Sequence, residues 1–420
     1  IVHAKLPALE GAPQIVLQLV PGTFGRARVL VEDLESRLSA RLRAVHRGVR
    51  AREPLRGRFA SAMRGGAMGM TTALIYPPSS YSTTDELVAL AREVAKYGGI
   101  YASHMRDEGK GVVGAVRELI EISERGGLPG EIFHLKVAYK PGWGILMDSI
   151  RQTVEAARAR GVDVAADMYL YTAGGTGLEA TIPSWAFEGG LDSLRARLAR
   201  PEARARMKRE LETGSPGWWN IVEAAGGWDG VVLVNARNEA NARYEKRSIS
   251  DIAREQGKQP ADAAWDIVAA GRGRVMAIYH MMSEPDIETA LRFPWVSIGS
   301  DAGAALAPGT ADVLGLPHPR SYGTFPRIIR RYVVERGVLT LPEAIRKMTS
   351  WPATRMRLDD RGVIRDGKWE RLGVGDARLL LSGQGPPPRG PSPGERTCHE
   401  EQKWHPEHPG GGDPHDREVS

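Results

Sequence analysis

The chain has 420 residues, of which 42% are hydrophobic and 26% are charged. It is therefore long enough for one large domain or two ordinary ones with a substantial core. The longest apolar run near its start, IVLQLV at residues 15–20, is much too short to span a bilayer, and no signal-peptide pattern begins the chain. A single cysteine, Cys398, excludes an intrachain disulfide framework and fits a reducing compartment. We expect a soluble, cytoplasmic protein with no membrane partner.

The net charge of +6 would suit a nucleic-acid-binding protein, but the positive charge is unevenly distributed. Eleven arginines lie between Arg26 and Arg64, whereas the middle of the chain is roughly balanced. The middle also has no stripe of mixed basic and aromatic residues such as single-strand binders use. We therefore expect no nucleic-acid partner. The alternative, a basic DNA-binding module in residues 1–64, predicts salt-dependent binding that is lost when this segment is deleted.

Composition divides the chain into three zones. Residues 1–64 form an atypical Arg- and Ala-rich segment with weak periodicity, and residues 65–370 have the composition of an ordinary enzyme domain. Residues 371–420 are rich in Pro, Gly, Arg and His, a low-complexity tail that we expect to be disordered. Because the chain begins with Ile1 rather than Met, we expect a fragment. Out-of-frame translation of a GC-rich gene is our hypothesis for both ends, and resequencing would test it.

The middle zone alternates apolar runs with amphipathic helical runs at a repeat of roughly 30 residues, which predicts parallel βα units. The first half of this zone predicts strands at 66–76, 100–104, 131–137 and 162–169, with Thr84 capping the first helix and helices at 85–97, 112–125 and 148–160. The second half predicts further strands at 230–236, 274–280 and 295–301, with helices around 250–271 and 284–292.

Five residues that could do chemistry fall at or near the ends of predicted strands, namely His104, His134, Tyr169, His280 and Asp301. Active sites of (β/α)8 barrels lie at the C-terminal ends of the strands, so this pattern predicts such a barrel with one shared site. Imidazoles and carboxylates bind zinc, which activates water and polarises a carbonyl. His104 and His134 suit the role of metal ligands, and Asp301 suits that of a proton carrier.

Six blocks at compatible spacing carry a resemblance to a known family: residues 66–78, 101–109, 134–137, 167–178, 297–303 and 318–327. Together they resemble the N-acyl-D-amino-acid deacylases (D-aminoacylases) of the amidohydrolase superfamily. The resemblance implies an α/β fold, a (β/α)8 TIM barrel of the metal-dependent hydrolase type, with one or two zinc ions. It also implies hydrolysis of the amide bond of N-acyl-D-amino acids, a small-molecule substrate, to a carboxylate and a D-amino acid.

The resemblance assigns a role to each matching residue. His104 and His134 match the histidines that hold the tightly bound zinc, and Asp301 matches the catalytic aspartate. Arg320 matches the arginine that binds the substrate carboxylate, for which its planar fork is well suited. Tyr169 matches a tyrosine near the scissile amide, and Lys136 matches a lysine beside the second histidine that orients the site. We expect Arg320, Tyr169 and Lys136 to be the substrate-binding residues.

The chain also departs from the family pattern, since it has no His-x-His pair of the first barrel strand, no downstream cysteine ligand and no β-sandwich sequence. Only about two βα units fit before the predicted strand at 66–76, since three need roughly 90 residues. We therefore expect strands four to eight of a barrel that is incomplete at its N-terminal strands, with an insertion at about 178–255.

Other interpretations stay open. Asp107 and Glu108 are expected to form local salt bridges with Arg106, and His280 is expected to be a hydrogen-bonded structural residue. The alternative functions are an amidohydrolase acting on another linear or cyclic amide, as a dihydroorotase does, and an inactive, truncated amidohydrolase fragment. The sequence leaves oligomeric state, metal count and the preferred substrate side chain open.

Overall fold

The structure is a computed structural model that describes residues 52–271, 274–302, 318–366, 368–370 and 402–403. Residues 1–51 and most of the tail lie outside the described residues, and so do the expectations for them. Contacts divide the chain into two compact units, Ile1–Thr324 and Phe325–Ser420. In the described part of the chain, no helix combines the length and the apolar character that crossing a membrane requires.

A parallel sheet of five strands lies at the centre of the first unit. Its strands, in spatial order, are β1 (Gly69–Ala73), β2 (Ile100–His104), β3 (Gly130–Ile132), β4 (Val164–Met168) and β8 (Val296–Ile298). Every neighbouring pair is parallel, and the strand residues are largely buried, as near-continuous apolar runs require. The predicted α/β class with a parallel sheet is confirmed.

Amphipathic helices connect the first four strands, as the sequence periodicity predicts. They are α2 (Thr84–Ala95), α3 (Val112–Gly126) and α4 (Leu146–Ala159), and α1 (Arg52–Arg64) precedes β1. The first connecting helix is capped one residue earlier than predicted. The Thr83 side chain accepts a bond from the Glu86 backbone, while the Glu86 side chain accepts one from the Thr83 backbone, which forms a capping box.

A second, antiparallel sheet interrupts the parallel arrangement. It contains β5 (Ala173–Gly177), β6 (Val231–Asn235) and β7 (Met276–His280) in the order β5-β7-β6. The expectation that residues 274–280 form a barrel strand, with His280 at the site end, is therefore wrong. His280 is exposed and pairs with Ala173 at the start of β5. A short apolar run predicts a strand but does not distinguish a parallel from an antiparallel neighbour.

Helices between these strands pack with them into an apolar core that also includes Ala138 and Tyr169. They are α5 (Leu191–Leu198), α6 (Pro201–Thr213), α7 (Ile221–Ala224), α8 (Glu239–Ala242), α9 (Ile249–Gln256) and α10 (Pro260–Ala270). The helical region predicted around 250–271 consists of two helices, because Gly257 adopts a left-handed conformation and Pro260 begins the next helix. Short 3-10 helices occupy Ser79–Tyr81, Lys140–Gly142, Leu178–Thr181, Ser184–Phe187 and Trp228–Gly230.

The remaining elements follow in chain order. Helix α11 (Glu284–Leu291) leads into β8, and α12 (Arg320–Arg327) runs into a π-helix at Ile328–Glu335. The later elements are α13 (Leu341–Met348), α14 (Ser350–Arg355), β9 (Trp369–Glu370) and β10 (Gln402–Lys403). Strands β9 and β10 pair antiparallel. Strand β10 lies within the tail for which the sequence predicts disorder, and the rest of that tail beyond Glu370 lies outside the described residues.

Candidate metal centre and active site

His104 is the last residue of β2, opposite Ala73 of β1, and its ring therefore lies at the C-terminal edge of the parallel sheet. Its Nε2 atom is buried and has no hydrogen-bond partner among the described residues. Burial lowers the pKa of His104 to about 3. A neutral, buried imidazole with an unused ring nitrogen is the form that binds a metal.

His134 lies two residues beyond the end of β3, because the strand stops at Ile132. The strand predicted at 131–137 is therefore too long. His134 has a φ of +42°, which is uncommon for a residue with a side chain, and its backbone N–H donates to Oδ1 of Asp167 at 2.6 Å. This turn brings the His134 and His104 rings to a centroid distance of 4.4 Å, so the two predicted metal ligands do lie together.

Glu108 is the site residue that sequence reasoning missed. The salt bridge predicted between Arg106 and Glu108 is not the one formed: Arg106 binds Glu118 on α3, with its Nε at 2.9 Å from the carboxylate. Glu108 is instead 2% exposed and has Oε1 at 2.9 Å from Nδ1 of His134. Its Oε2 lies 3.6 Å from Nε2 of His104. The four-residue spacing from His104 gives no signal, because residues 105–111 are not helical.

Asp107, for which a salt bridge with Arg106 was also predicted, caps the local turn instead. Its Oδ1 accepts hydrogen bonds from the backbone N–H groups of Gly109, at 2.7 Å, and Gly111, at 3.1 Å. Asx turns of this kind stabilise tight loops. The turn redirects the chain between β2 and α3.

His104, Glu108 and His134 form a candidate metal centre. Each offers one ligand atom, and the three atoms lie within 4.8 Å of one another. Two imidazole nitrogens and a carboxylate oxygen are a donor set that zinc accepts, and the unpartnered Nε2 of His104 fits a ligand position. The residues present therefore fit a divalent cation.

Lys136 is buried beside these donors. Its Nζ lies 2.6 Å from Oε1 of Glu108 and 2.7 Å from Nδ1 of His134. Burial on its own would raise the pKa of Glu108, but His104, Lys136 and His134 outweigh burial and hold that pKa well below its ordinary value. Glu108 is thus an ionised carboxylate at neutral pH.

Asp301 follows β8 in a left-handed conformation, with a φ of +46°. It does not belong to the three-atom ligand group among the described residues; its Oδ2 lies 2.8 Å from Nη1 of Arg320. Burial would raise the pKa of Asp301, but electrostatic interactions with His134, Arg320 and Lys136 outweigh burial and lower that pKa. The carboxylate is therefore ionised and able to accept a proton.

Arg320 is 8% exposed and connects the site with the antiparallel sheet. Its Nη2 donates to the Gly175 carbonyl of β5 at 3.2 Å. The guanidinium carbon lies 4.7 Å from the centre of the Tyr169 ring, so the arginine predicted to bind a carboxylate is held by Asp301, an aromatic face and a backbone carbonyl. Tyr169 itself is 5% exposed, with its ring 6.5 Å from that of His134.

Tyr76 and His318 also border the site and were not singled out from the sequence. The Tyr76 ring lies 5.1 Å from that of His104, and its hydroxyl is 2.8 Å from Oγ1 of Thr176. Nε2 of His318 lies 2.8 Å from the Ala173 carbonyl, while its Nδ1 accepts the backbone N–H of Arg320 at 3.0 Å. Burial lowers the pKa of His318 to about 4. Neither residue has a sequence signal of its own, because its role comes from long-range contacts.

A parallel α/β sheet with imidazoles and a carboxylate at its C-terminal edge is the arrangement found in metal-dependent hydrolases of the barrel type. No family model matches the chain. Curated relatives do match. The chain is 32% identical over 322 residues to a D-aminoacylase from Alcaligenes xylosoxydans xylosoxydans, which is 75% of this chain and 53% of the relative. It is 31% identical over 319 residues to an N-acyl-D-glutamate deacylase from the same organism, which is 76% of this chain and 54% of the relative.

Solved structures agree with the sequence relatives. A crystal structure of D-aminoacylase, described as defining a novel subset of amidohydrolases, matches with a TM-score of 0.56 and 29% identity, over 75% of this chain and 54% of that one. The N-acyl-D-glutamate deacylase of Bordetella bronchiseptica, solved with zinc and a phosphonate inhibitor, matches with a TM-score of 0.58 and 25% identity, over 76% of this chain and 55% of that one.

These similarities first place the protein among the amidohydrolases. Within that class, the chain belongs to the D-aminoacylase, or N-acyl-D-amino-acid deacylase, family. The resemblance inferred from the six sequence blocks is confirmed. The chain spans about half the length of the curated relatives that it matches.

Proposed function

We propose that this protein hydrolyses the amide bond of N-acyl-D-amino acids with the help of zinc, releasing a carboxylate and a D-amino acid. The observation that carries the proposal is the convergence of the His104, Glu108 and His134 side chains in a chain similar to D-aminoacylases and to deacylases of N-acyl-D-glutamate and N-acyl-D-aspartate. The described residues offer ligands for one ion at this place.

His104, Glu108 and His134 would hold the zinc ion, which activates water and polarises the amide carbonyl when it is bound. Asp301 supplies the proton transfer in our proposal. Its ionised carboxylate accepts a proton from the attacking water and donates it to the leaving nitrogen, as a general base and then a general acid.

Arg320 binds the α-carboxylate of the substrate in our proposal, and Tyr169 positions the amide. The support for this assignment is the buried guanidinium, which lies over the Tyr169 ring and already pairs with one carboxylate, that of Asp301. A planar fork binds a carboxylate through two parallel, charge-assisted hydrogen bonds. A substrate carboxylate that takes over the guanidinium would release Asp301 for proton transfer.

We also propose that β1–β4 and β8 correspond to the fourth to eighth strands of a complete barrel. Their continuous parallel pairing supports this assignment. The antiparallel segment then represents the insertion, and it extends from Ala173 to His280 rather than over the 178–255 expected from the sequence.

The function is tested by loading the protein with zinc and measuring amine release from four substrates: N-acetyl-D-methionine, its L-enantiomer, its amide-capped form and a cyclic amide. We expect turnover of the D-enantiomer with a free carboxylate and little turnover of the other three. Equal turnover of the amide-capped form would contradict the role of Arg320, and faster ring opening would favour the dihydroorotase-like alternative. Failure to retain zinc together with absence of turnover would favour the inactive-fragment alternative.

A further inference from the structure

Lys136 is expected from the sequence to serve the substrate site, but its ammonium contacts the side chains of the candidate metal centre. Its ammonium is within hydrogen-bond distance of Oε1 of Glu108 and of Nδ1 of His134, two of the three residues that offer metal ligands. The side chain is 6% exposed, so water does not screen the ammonium effectively. The ammonium of Lys136 thus lies against two side chains that would serve as ligands of a divalent cation.

We infer that Lys136 is an internal counter-cation that holds Glu108 and His134 in place and competes with zinc for them. Lys136 is therefore a positioning residue that sets the metal affinity. This inference rests on the proposed zinc site at His104, Glu108 and His134, and it adds a property of that site that zinc ligation does not require.

The electrostatics of a buried anion explain why such a residue is useful. A buried carboxylate without a partner is strongly destabilising, because its hydration is lost without compensation. The ammonium neutralises Glu108 and contacts His134, so both side chains are ordered before any metal arrives. The same positive charge repels an arriving dication at short range, where the low effective dielectric constant strengthens the repulsion.

The structure also offers the displaced ammonium another partner. Nζ of Lys136 lies 5.5 Å from the centre of the Tyr169 ring, within the range of a cation–π interaction. Lysine has a flexible four-carbon stem and a compact charge, so a modest change of its torsions can move the ammonium from Glu108 toward the ring. Metal binding would then exchange an ion pair for a contact with an aromatic face.

Zinc titration in competition with a chromophoric chelator tests this inference on the whole chain. Lys136→Met removes the competing charge, and we expect it to bind zinc at least about tenfold more tightly than the wild type. Lys140→Met makes the same change at an exposed lysine nearby and should leave the affinity unchanged. In a thermal scan with chelator, Lys136→Met should unfold at a lower Tm, and zinc should raise its Tm by more than that of the wild type.

Lys136→Gln is the second variant, because it keeps a donor for Glu108 without the charge and so protects against a folding defect in Lys136→Met. It should also bind zinc more tightly than the wild type. If the wild type binds zinc and neither variant binds it more tightly, Lys136 does not compete and the inference is overturned. If neither the wild type nor any variant binds zinc, the proposed metal site itself fails, which is a separate outcome.

Discussion

Histidines near the strand ends are clustered in the parallel sheet of the first unit, whereas the one in its antiparallel sheet is exposed. At the C-terminal edge of the parallel sheet, His104, whose Nε2 atom is buried, is followed by the buried Glu108, and both lie beside His134. In the antiparallel sheet, His280 ends β7 next to the first residue of β5 and is exposed. Parallel strands bring all their C-terminal ends to one edge, whereas antiparallel strands send successive ends to opposite edges. Only the parallel arrangement therefore brings reactive side chains from several strands to one site.

The antiparallel sheet nevertheless contributes to the site through its backbone. The carbonyls of Ala173 and Gly175 are hydrogen-bonded to His318 and Arg320, respectively. Strand β5 is thus a support that orients side chains from elsewhere, and its own residues are small. The comparison predicts that substitutions at the parallel edge change chemistry, while substitutions in the antiparallel segment change stability.

Asp301→Asn should produce the largest effect. The amide cannot carry the proton, so we expect kcat to fall by roughly a thousandfold. Zinc affinity should change little, because Asp301 lies outside the three-residue ligand group. Steady-state kinetics with N-acetyl-D-methionine and a zinc titration measure both quantities. Asp192→Asn, which changes an exposed aspartate on α5, is the matched control. A kcat of the Asp301→Asn variant as high as that of the control would remove Asp301 from the mechanism.

Trp265→Ala should affect the antiparallel segment alone. Trp265 on α10 is fully buried in the core of this segment, and its truncation should lower the free energy of unfolding by about 3–5 kcal/mol. Zinc affinity of the folded protein should not change. Urea denaturation followed by zinc titration checks both statements, with Trp265→Phe as the milder variant. A change of zinc affinity in the folded variant would contradict the expectation that the core of the antiparallel segment does not influence the metal centre.

Asp167→Ala should weaken zinc binding by about 10- to 100-fold, because its carboxylate holds the backbone of His134 in a left-handed conformation. The antiparallel segment provides a matched control. Asn235 supports Arg237, another residue with positive φ, in the same manner, so Asn235→Ala should leave zinc affinity unchanged. Equal effects of the two variants on zinc affinity would show that the support of His134 is not specific to the metal centre.

His318→Gln should produce the smallest effect, seen as a pH dependence of stability. Burial lowers the pKa of His318 from 6.5 to about 4 in the folded protein, so the unfolded chain binds the proton more readily. Stability is therefore lost as the pH falls from 6.5 toward 4, and the loss is complete below that range. The variant should lose about 2 kcal/mol less over this window, allowing for solvent screening. Denaturant unfolding at pH 7 and pH 4 measures the difference, and identical losses would contradict it.

Much of the fold could be predicted from the sequence because local patterns carry it. The alternating strands and helices from Gly69 to Met168 follow from apolar periodicity and from capping residues, and the family resemblance followed from six ordered blocks. The nature of the second sheet could not be predicted, since β5 is rich in glycine, a residue depleted in strands, and β7 has an apolar run compatible with either sheet.

The sequence by itself determined the α/β class, the family and the pairing of His104 with His134. Only the tertiary structure decided that Glu108 joins them while Arg106 binds Glu118, and that Lys136 lies against the same donors. The physical reason is that a local pattern reports which backbone hydrogen bonds and apolar faces form nearby. The partner of a buried charge depends on which groups the whole fold brings within a few ångströms, because a buried charge must find a counter-charge wherever the fold supplies one.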